Sequence, residues 1–481
     1  MVRSKKLVAF AATGALVLAA CGGSDDAATD PVVTDAPEAA EEGDEPDTTE
    51  AAEEGDEPDT TEAAEEGDEP EVSGAAFAVD TSVCEDPDVA TAPIEDTITI
   101  GTSIPLSGGP AVLFAPWGDG QQAYIDYYNA EFGGVNGQQL ELVTTDDQYT
   151  ADLTVANVEQ LVFDDNVDLI SGIIGTDNNA AVQEDLNDLC IPQLNAGTGA
   201  SNWANVGELP WTTGVLVSYI VESQLWAEKA AADGATTAGI FHVNNEFGQA
   251  YLEAFTEAAE ANGIEIVATE TIEPLDSGAP SGQVTNLAAA NPDTILAVPL
   301  GGQCIAFMTE IGNVKAANQD FASTTVYQTA TCANDLFFNA VTNGGADGVF
   351  TSNNLKDVNN PEVAENDEGV VAYLAAFAST GSAADPGGIA AAGWESMEVA
   401  VKAIQEAADA GNLSREGIIN AARNVNYSSP LLLDELTYQM NNEDGYLAEG
   451  TQLRVWSDAD GGFVAQGDPV EFNGTLGVFE G

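Results

Sequence analysis

Residues 98–147 decide the fold, and their sequence is ITIGTSIPLSGGPAVLFAPWGDGQQAYIDYYNAEFGGVNGQQLELVTTDD. The short apolar run Thr97–Ile100 ends at Gly101 and predicts a strand. Apolar side chains then recur at helical spacing over residues 116–131, and LELVTT at 140–145 has the composition of a second strand. A strand, a helix and a strand joined by short turns indicate one parallel β-α-β unit.

The same alternation continues along the chain and restarts after about residue 215. Further strands are predicted at 167–174, 191–196, 237–243, 264–271, 294–300 and 324–329. Further helices are predicted near 153–162, 178–188, 216–232, 248–262, 281–290, 303–313, 393–411 and 414–423. Regular alternation of this kind predicts an α/β fold with parallel sheets and helices on both faces. Two runs of it predict two lobes.

The stretch LRVWSDADGGFV at 453–464 predicts a strand, a tight turn and a strand. Asp458 and Asp460 superficially resemble the start of a calcium-binding loop. No acid stands at the twelfth position that such a loop needs, so a hairpin turn is favoured and no metal site is predicted.

Charge excludes several classes of function. The chain has 81 acidic and ten basic residues, a formal net charge of −71, with no Lys or Arg between Leu7 and Glu228. A protein that binds nucleic acid or an anionic membrane surface needs a basic face, so the charge argues against both classes of function. The single histidine, His242, leaves little room for histidine-based triads or multi-histidine metal sites. Residues 91–481 hold 55 of the acids and seven of the bases, a net −48, which resembles proteins from high-salt settings.

The N-terminus has the pattern of an export signal. Arg3, Lys5 and Lys6 precede about twelve apolar residues, too few for a comfortable membrane span. The segment ends LAAC at Cys21, which resembles the bacterial lipobox, in which such a cysteine is lipidated and becomes the mature N-terminus. We therefore expect 1–21 to be a lipoprotein signal peptide and the protein to be anchored outside the cytoplasm. An ordinary secretory signal with a chance cysteine is the alternative.

A twelve-residue repeat follows the signal. AAEEGDEPDTTE occurs at 39–50 and 51–62, and a third copy at 63–74 ends in EVSG. These units contain no apolar side chain beyond alanine before that last ending, so they cannot bury enough surface to offset the entropy of ordering. Residues 22–83 are therefore predicted to be a disordered acidic linker.

Three stretches carry a resemblance to a known family. Residues 98–147, IPQLNAGTG at 191–199 and FHVNNEFGQAYLEAF at 241–255 are similar to type I periplasmic-type solute-binding proteins of ABC importers, in the leucine/isoleucine/valine-binding branch. The resemblance covers about residues 95–465. It implies two lobes hinged around a cleft, with lobe one at 84–215 and 350–450 and lobe two at 216–349 and 451–481. It also implies a small-molecule ligand in the cleft and ABC permease subunits as partners, without a cofactor, and we expect a monomer.

The resemblance places the ligand at loops that follow strands. The residues it implies are Ser107, Trp117, Thr176, Asp177, Gly197, Thr198, Phe247 and, in a vaguer alignment, Gln328. Trp117 would cover the ligand, and Thr176 and Thr198 would hold a polar head group beside a helix N-terminus. Each has a plainer alternative: core packing for Trp117 and Phe247, helix capping for Asp177, and a bare turn for Thr198. The acid that the family contributes from lobe two is not evident near Gln328.

Four cysteines remain outside the signal, which allows three disulfide pairings outside the cytoplasm. Cys304 and Cys332 follow consecutive strands, and Cys84 and Cys190 precede strands. Bonded Cα atoms must lie within about 7 Å, so positions at the same sheet edge favour Cys84–Cys190 and Cys304–Cys332. Four buried free thiols are the alternative.

We expect a lipid-anchored binding subunit of an ABC importer that captures an amino acid or a related polar solute and catalyses nothing. A ligand sensor on the same fold is the first alternative, and a tethered surface hydrolase is the second. No G-x-S-x-G, Walker or G-x-G-x-x-G motif is present, which counts against the hydrolase and against nucleotide cofactors.

Overall fold

The computed structural model describes residues 76–440, 445–473 and 476. In chain order its strands are β1 Ile98–Ile104, β2 Leu140–Asp146, β3 Leu169–Ser171, β4 Gln193–Ala196, β5 Thr212–Gly214, β6 Thr237–Val243, β7 Glu265–Ile272, β8 Thr294–Val298, β9 Thr325–Gln328, β10 Phe350–Asn353, β11 Asn426–Tyr427, β12 Tyr438–Gln439, β13 Gly450–Ser457, β14 Gly462–Ala465 and β15 Val470–Glu471.

Its α-helices are α1 Pro87–Thr91, α2 Ala111–Phe132, α3 Ala151–Phe163, α4 Thr176–Asp188, α5 Tyr219–Ala232, α6 Glu246–Ala261, α7 Ser281–Ala290, α8 Gly302–Ala317, α9 Asp335–Asn339, α10 Pro361–Asn366, α11 Glu368–Ser379, α12 Ile389–Asp409 and α13 Arg415–Arg423. Short 3₁₀ helices occur at Thr81–Val83, Ser201–Ala204 and Ala330–Cys332.

The strands form two main sheets, each the centre of a lobe. The first has the order β2-β1-β3-β4-β5, and all its pairings are parallel. The second has the order β14-β13-β10-β9-β8-β6-β7, with β15 paired to β13. Its strands β6 to β10 are parallel, and β13 to β15 run antiparallel to their partners. The predicted α/β fold with parallel sheets is confirmed.

The chain returns to the first lobe through α10 to α13, after β10. Helix α12 packs along α2 with the backbones in contact at two glycines. A Cβ atom at Gly393 would lie 2.1 Å from the carbonyl oxygen of Trp117, and one at Gly120 would lie 2.0 Å from that of Ala390. Only glycine permits so close an approach, which positions Trp117 relative to the start of α12.

Two predicted boundaries differ from the structure. The linker was expected to continue to residue 83, but the amides of Phe77 and Val79 donate to Asn424 and Asn420 at 2.9 and 2.8 Å, and Val79 is buried. These contacts anchor the segment to α13. The second part of lobe one was expected to begin at residue 350, but β10 pairs with β9 and β13 in the second sheet. The signal peptide, Cys21 and the repeats lie outside the described residues.

Both predicted disulfides are present. Cys84–Cys190 joins the start of the described chain to the end of α4, with Cα atoms 5.6 Å apart. Cys304–Cys332 joins the first turn of α8 to the 3₁₀ helix after β9, with Cα atoms 5.9 Å apart. The predicted hairpin turn is confirmed as well, since Ser457 pairs with Gly462 between β13 and β14. Within the described ranges no group of three metal-ligating side chains occurs, and no helix is long and apolar enough to cross a membrane.

Candidate functional site

A cavity of about 180 Å³ lies between the two lobes. Its wall includes segments that follow β3 and β4 in the first sheet and β9 and β10 in the second. Loops at the carboxyl ends of parallel strands are the usual place for a ligand site in α/β proteins. The start of α12, the crossover before α5 and residues of β13 and β14 complete the wall.

One part of the wall is aromatic. Trp117 is 3% exposed, and its indole Nε1–H donates to the carbonyl of Gly172 at 3.1 Å. Phe114 stacks on Tyr149 with ring centroids 5.6 Å apart. On the facing lobe, Phe247 meets Tyr251 edge to face at 5.5 Å. These rings give the cavity flat apolar surfaces whose positions are fixed by packing and by the indole hydrogen bond.

The structure brings together four of the eight residues that the resemblance implies. Trp117, Thr176, Gly197 and Phe247 all line the cavity. Thr176 is the first residue of α4, so its side chain stands beside the amides of a helix N-terminus. Its hydroxyl is 2.7 Å from that of Thr198, which is itself 3.3 Å from the Tyr219 hydroxyl. Thr198 itself is not part of the wall, but its hydrogen bond holds the Thr176 hydroxyl in place.

The other three lie off the cavity wall. Ser107 is exposed, and its hydroxyl donates to Asp146 at 2.5 Å. Asp177 accepts a hydrogen bond from the backbone N–H of Glu246 at 3.0 Å, which links the N-termini of α4 and α6 across the lobes. Burial raises the pKa of Asp177. Gln328 is fully buried, and neither atom of its amide has a partner in the described part of the chain.

A buried acid on the wall was not found from the sequence. Glu222 of α5 is 1% exposed and accepts hydrogen bonds from the hydroxyls of Tyr251 and Ser352. Burial raises its pKa to about 7. Its position three residues after Tyr219 and four before Trp226, on the apolar face of a predicted helix, is the signal that could have marked it. His242, in contrast, is buried in β6 away from the wall.

Four further charged residues line the cavity: Asp335, Lys356, Asp357 and Arg454. Lys356 is 2.9 Å from Asp367 and 3.0 Å from Asp434, so its charge is paired. Arg454 is 7% exposed and donates to the carbonyl of Leu355 at 2.9 Å. Burial raises the pKa of Asp335 to about 6; the nearby charge of Asp357 adds to this effect and that of Arg454 opposes it.

Comparisons with known proteins agree with this architecture. A family model described as periplasmic binding protein matches residues 97–460. No match was found among curated protein sequences. A solved branched-chain amino acid ABC transporter protein from Thermus thermophilus with bound valine has a TM-score of 0.69 and 16% identity, and the match covers 78% of this chain and 97% of that one.

Two further solved structures are similar. An ABC transporter solute-binding protein from R. palustris in complex with 4-hydroxybenzoate has a TM-score of 0.66 and 18% identity, over 78% of this chain and 97% of that one. A fatty acid ABC transporter substrate-binding protein from Thermomonospora curvata has a TM-score of 0.67 and 19% identity, over 80% of this chain and 95% of that one. At these identities the structural matches establish the fold.

Proposed function

The chain belongs to the periplasmic binding protein family, and from this we propose that it is the lipid-anchored, extracytoplasmic solute-binding subunit of an ABC importer. The observation that carries the proposal is the cavity, whose wall is contributed by both lobes. A solute in this position contacts both lobes at once, so it stabilises the closed form over an open one. The work of such a protein is capture and presentation, and it needs no catalytic group.

Contacts between the lobes support a closing cleft. The hydrogen bond from the Glu246 amide to Asp177 joins α6 to α4, and the Thr198 and Tyr219 hydroxyls meet at 3.3 Å. Separation of the lobes would break the first of these. The closed form is thus stabilised by this hydrogen bond as well as by the solute.

The character of the cavity indicates a small solute with an apolar body and a polar group. Trp117 and Phe247 provide apolar surface on opposite lobes, and Thr176 provides a hydroxyl beside the N-terminus of α4. Valine and 4-hydroxybenzoate, bound to two of the structural relatives, have this composition. We therefore propose an amino acid or a related carboxylate as the solute. The two-lobe division and the binding roles of Trp117, Thr176, Gly197 and Phe247 are part of the same proposal, and Thr198 contributes through its hydrogen bond to Thr176.

The anchor and the linker complete the proposal. Cys21 would carry the lipid, and the acidic repeats would connect it to the folded part, which begins near Phe77. A chain of like charges is extended by repulsion, so the linker would hold the binding lobes away from the membrane surface.

A thermal-shift screen tests the function. Amino acids, amides, urea and small carboxylates are added to the purified protein, and a true solute is expected to raise the unfolding midpoint and change the fluorescence of Trp117. Ala392→Trp fills the cavity from α12 and should abolish the shift. Ala410→Trp, at the exposed end of the same helix, should leave it intact. A shift that survives Ala392→Trp would contradict a solute site in the cavity.

A further inference from the structure

The charged side chains on the cavity wall are distributed unequally between the lobes. Glu222, Asp335, Lys356, Asp357 and Arg454 all come from the second lobe or from the crossover that follows β10. Among the described residues, the first lobe contributes aromatic, aliphatic and small polar groups to this wall and no charge. A charged head group of a solute would therefore find its strongest partners on the second lobe.

Arg454 is the first of these partners. It is one of only seven basic residues after residue 91, and its exposed fraction is 7%. Its Nη2 donates to the carbonyl of Leu355 at 2.9 Å and its Nε to the amide oxygen of Gln452 at 3.4 Å. Arg454 takes part in none of the ion pairs, with N···O distances up to 4.0 Å, among the described residues. A buried guanidinium without an anion is costly, and its planar donors suit a carboxylate.

Two acids on the wall of the same cavity also have few hydrogen-bond partners. In the described part of the chain, the Asp335 carboxylate accepts no hydrogen bond. The Asp357 carboxylate accepts one there, from the backbone N–H of Asn359 at 3.0 Å. Both line the same cavity as Arg454. None of the ion pairs among the described residues joins either acid to Arg454, so the guanidinium and both carboxylates keep hydrogen-bonding capacity for a solute.

Building on the proposed function, we propose that Arg454 binds the carboxylate and Asp335, with Asp357, binds the ammonium of an α-amino acid, so that the second lobe holds the head group. The side chain of the amino acid then lies against Trp117 and Phe114 of the first lobe. This orientation is the reverse of the one that Thr176 and Thr198 imply. The hydroxyls of those two threonines already bond to each other, which leaves them less available to a head group.

The first test changes the ligand and leaves the protein intact. The twenty standard L-amino acids are titrated into the full chain by calorimetry, and the tightest is compared with its deaminated acid and its decarboxylated amine. Each truncation is expected to weaken binding about 10- to 100-fold, because each removes a charge-assisted hydrogen-bonded contact.

The second test assigns each charge to a residue. Arg454→Gln should weaken the amino acid about 10- to 100-fold and leave the amine, which has no carboxylate, within about threefold of its wild-type affinity. Asp335→Asn should weaken the amino acid and leave the deaminated acid unchanged. Lys402→Gln and Glu365→Gln change the charge at matched positions off the cavity and should change none of these affinities.

The competing orientation gives a different result. If Thr176→Val removes the discrimination between the amino acid and the amine while Arg454→Gln preserves it, the head group is on the first lobe and the inference is wrong. The function would still stand in that case. If none of the twenty amino acids binds below about 1 mM but another solute of the screen does, the inference also fails and the function survives. If Arg454→Gln does not fold, Arg454→Lys and the ligand truncations still distinguish the two orientations of the head group.

Discussion

Glu395 is a carboxylic acid in the interior of the first lobe, on α12, where it is 2% exposed. Its Oε1 has no partner among the described residues. Glu398, three residues later, accepts a hydrogen bond from the Tyr427 hydroxyl at 2.5 Å and adds a like charge nearby. Burial, and then the charge of Glu398, raise the pKa of Glu395 to about 8.

This shift makes folding stability depend on pH. Glu395 has a higher pKa in the folded chain than the ordinary value of 4.5, so the native state keeps a proton that the unfolded chain releases. Its contribution to the free energy of unfolding therefore falls as pH rises from about 5 to 8. We expect Glu395→Gln to reduce that loss by about 2–4 kcal/mol, at about 1.4 kcal/mol per pKa unit.

Urea unfolding at pH 5 and pH 8 measures the effect of Glu395→Gln. Glu365→Gln provides the control, because Glu365 is exposed on α10. An unchanged difference between the two pH values in Glu395→Gln would show that this carboxyl is not the source of the dependence.

Asp177 permits a test of lobe closure at a single hydrogen bond. Asp177→Ala removes the acceptor for the Glu246 amide, whereas Asp177→Asn keeps an oxygen in its place. We expect Asp177→Ala to weaken the tightest solute of the screen about three- to tenfold and Asp177→Asn to weaken it less, because a typical hydrogen bond contributes about 0.5–1.5 kcal/mol. Equal effects of the two variants in calorimetry would argue against a closing role for this bond.

Some site residues were predictable because they follow strands. Trp117 lies near the start of α2, Thr176 begins α4 and Gly197 follows β4, and these positions depend only on the local strand-helix order. Arg454 and Asp335 were not predicted, because the crossovers that bring β13 and α9 to the cleft are long-range features. In so acidic a chain a single aspartate does not mark a binding site. Arg454 could have marked one, because it is among only seven basic residues after residue 91.

At the scale of elements, the contact between α2 and α12 positions the cavity wall. Gly393→Ala would place a Cβ atom 2.1 Å from the Trp117 carbonyl oxygen, so the helices must separate. We expect a loss of about 2 kcal/mol or more in the free energy of unfolding, together with weaker solute binding. Gly282→Ala on α7 meets no atom within 4 Å and should be neutral or stabilising by about 0.5–1 kcal/mol. Equal stability of the two variants in urea would contradict the close packing.

The two disulfides have different places in the fold and should differ in effect. Cys304–Cys332 closes a segment with a sequence separation of 28 and holds the loop before Asp335, whereas Cys84–Cys190 spans 106 residues and lies off the cavity wall. Paired alanine substitutions should cost about 2–5 kcal/mol at either bridge. Solute affinity should fall only when Cys304–Cys332 is removed. Calorimetry on both double variants checks this, and an equal loss of affinity in both would refute it.

Apart from β5 and the 3₁₀ helix Ser201–Ala204, the elements between 97 and 329 were predictable because each strand and helix carries its own periodicity. Helices α10 and α11, at 361–379, and the short strands β10 to β12 were not predicted. Their existence depends on packing against the first lobe or the second sheet. The packing of Phe77 and Val79 on α13 escaped sequence reasoning for the same reason, since their partners are about 340 residues away.

At the scale of the whole molecule, charge should govern stability. Residues 91–481 carry a net charge of −48, and the mutual repulsion of these acids opposes the compact state. Added salt screens that repulsion, so the unfolding midpoint should rise by about 2 °C or more between 0.1 and 1 M NaCl. KCl and sodium sulfate at matched ionic strength separate screening from ion-specific effects. A midpoint that falls with NaCl would contradict the expectation.

The central claim is that a solute is held between the two lobes, in the cavity bounded by Trp117 and Phe247. A crystal structure of the protein with the tightest solute of the screen tests it most directly. The account predicts electron density for the solute in contact with both of these side chains. Density at any other place on the protein, or a cleft filled by the protein's own side chains, would contradict it.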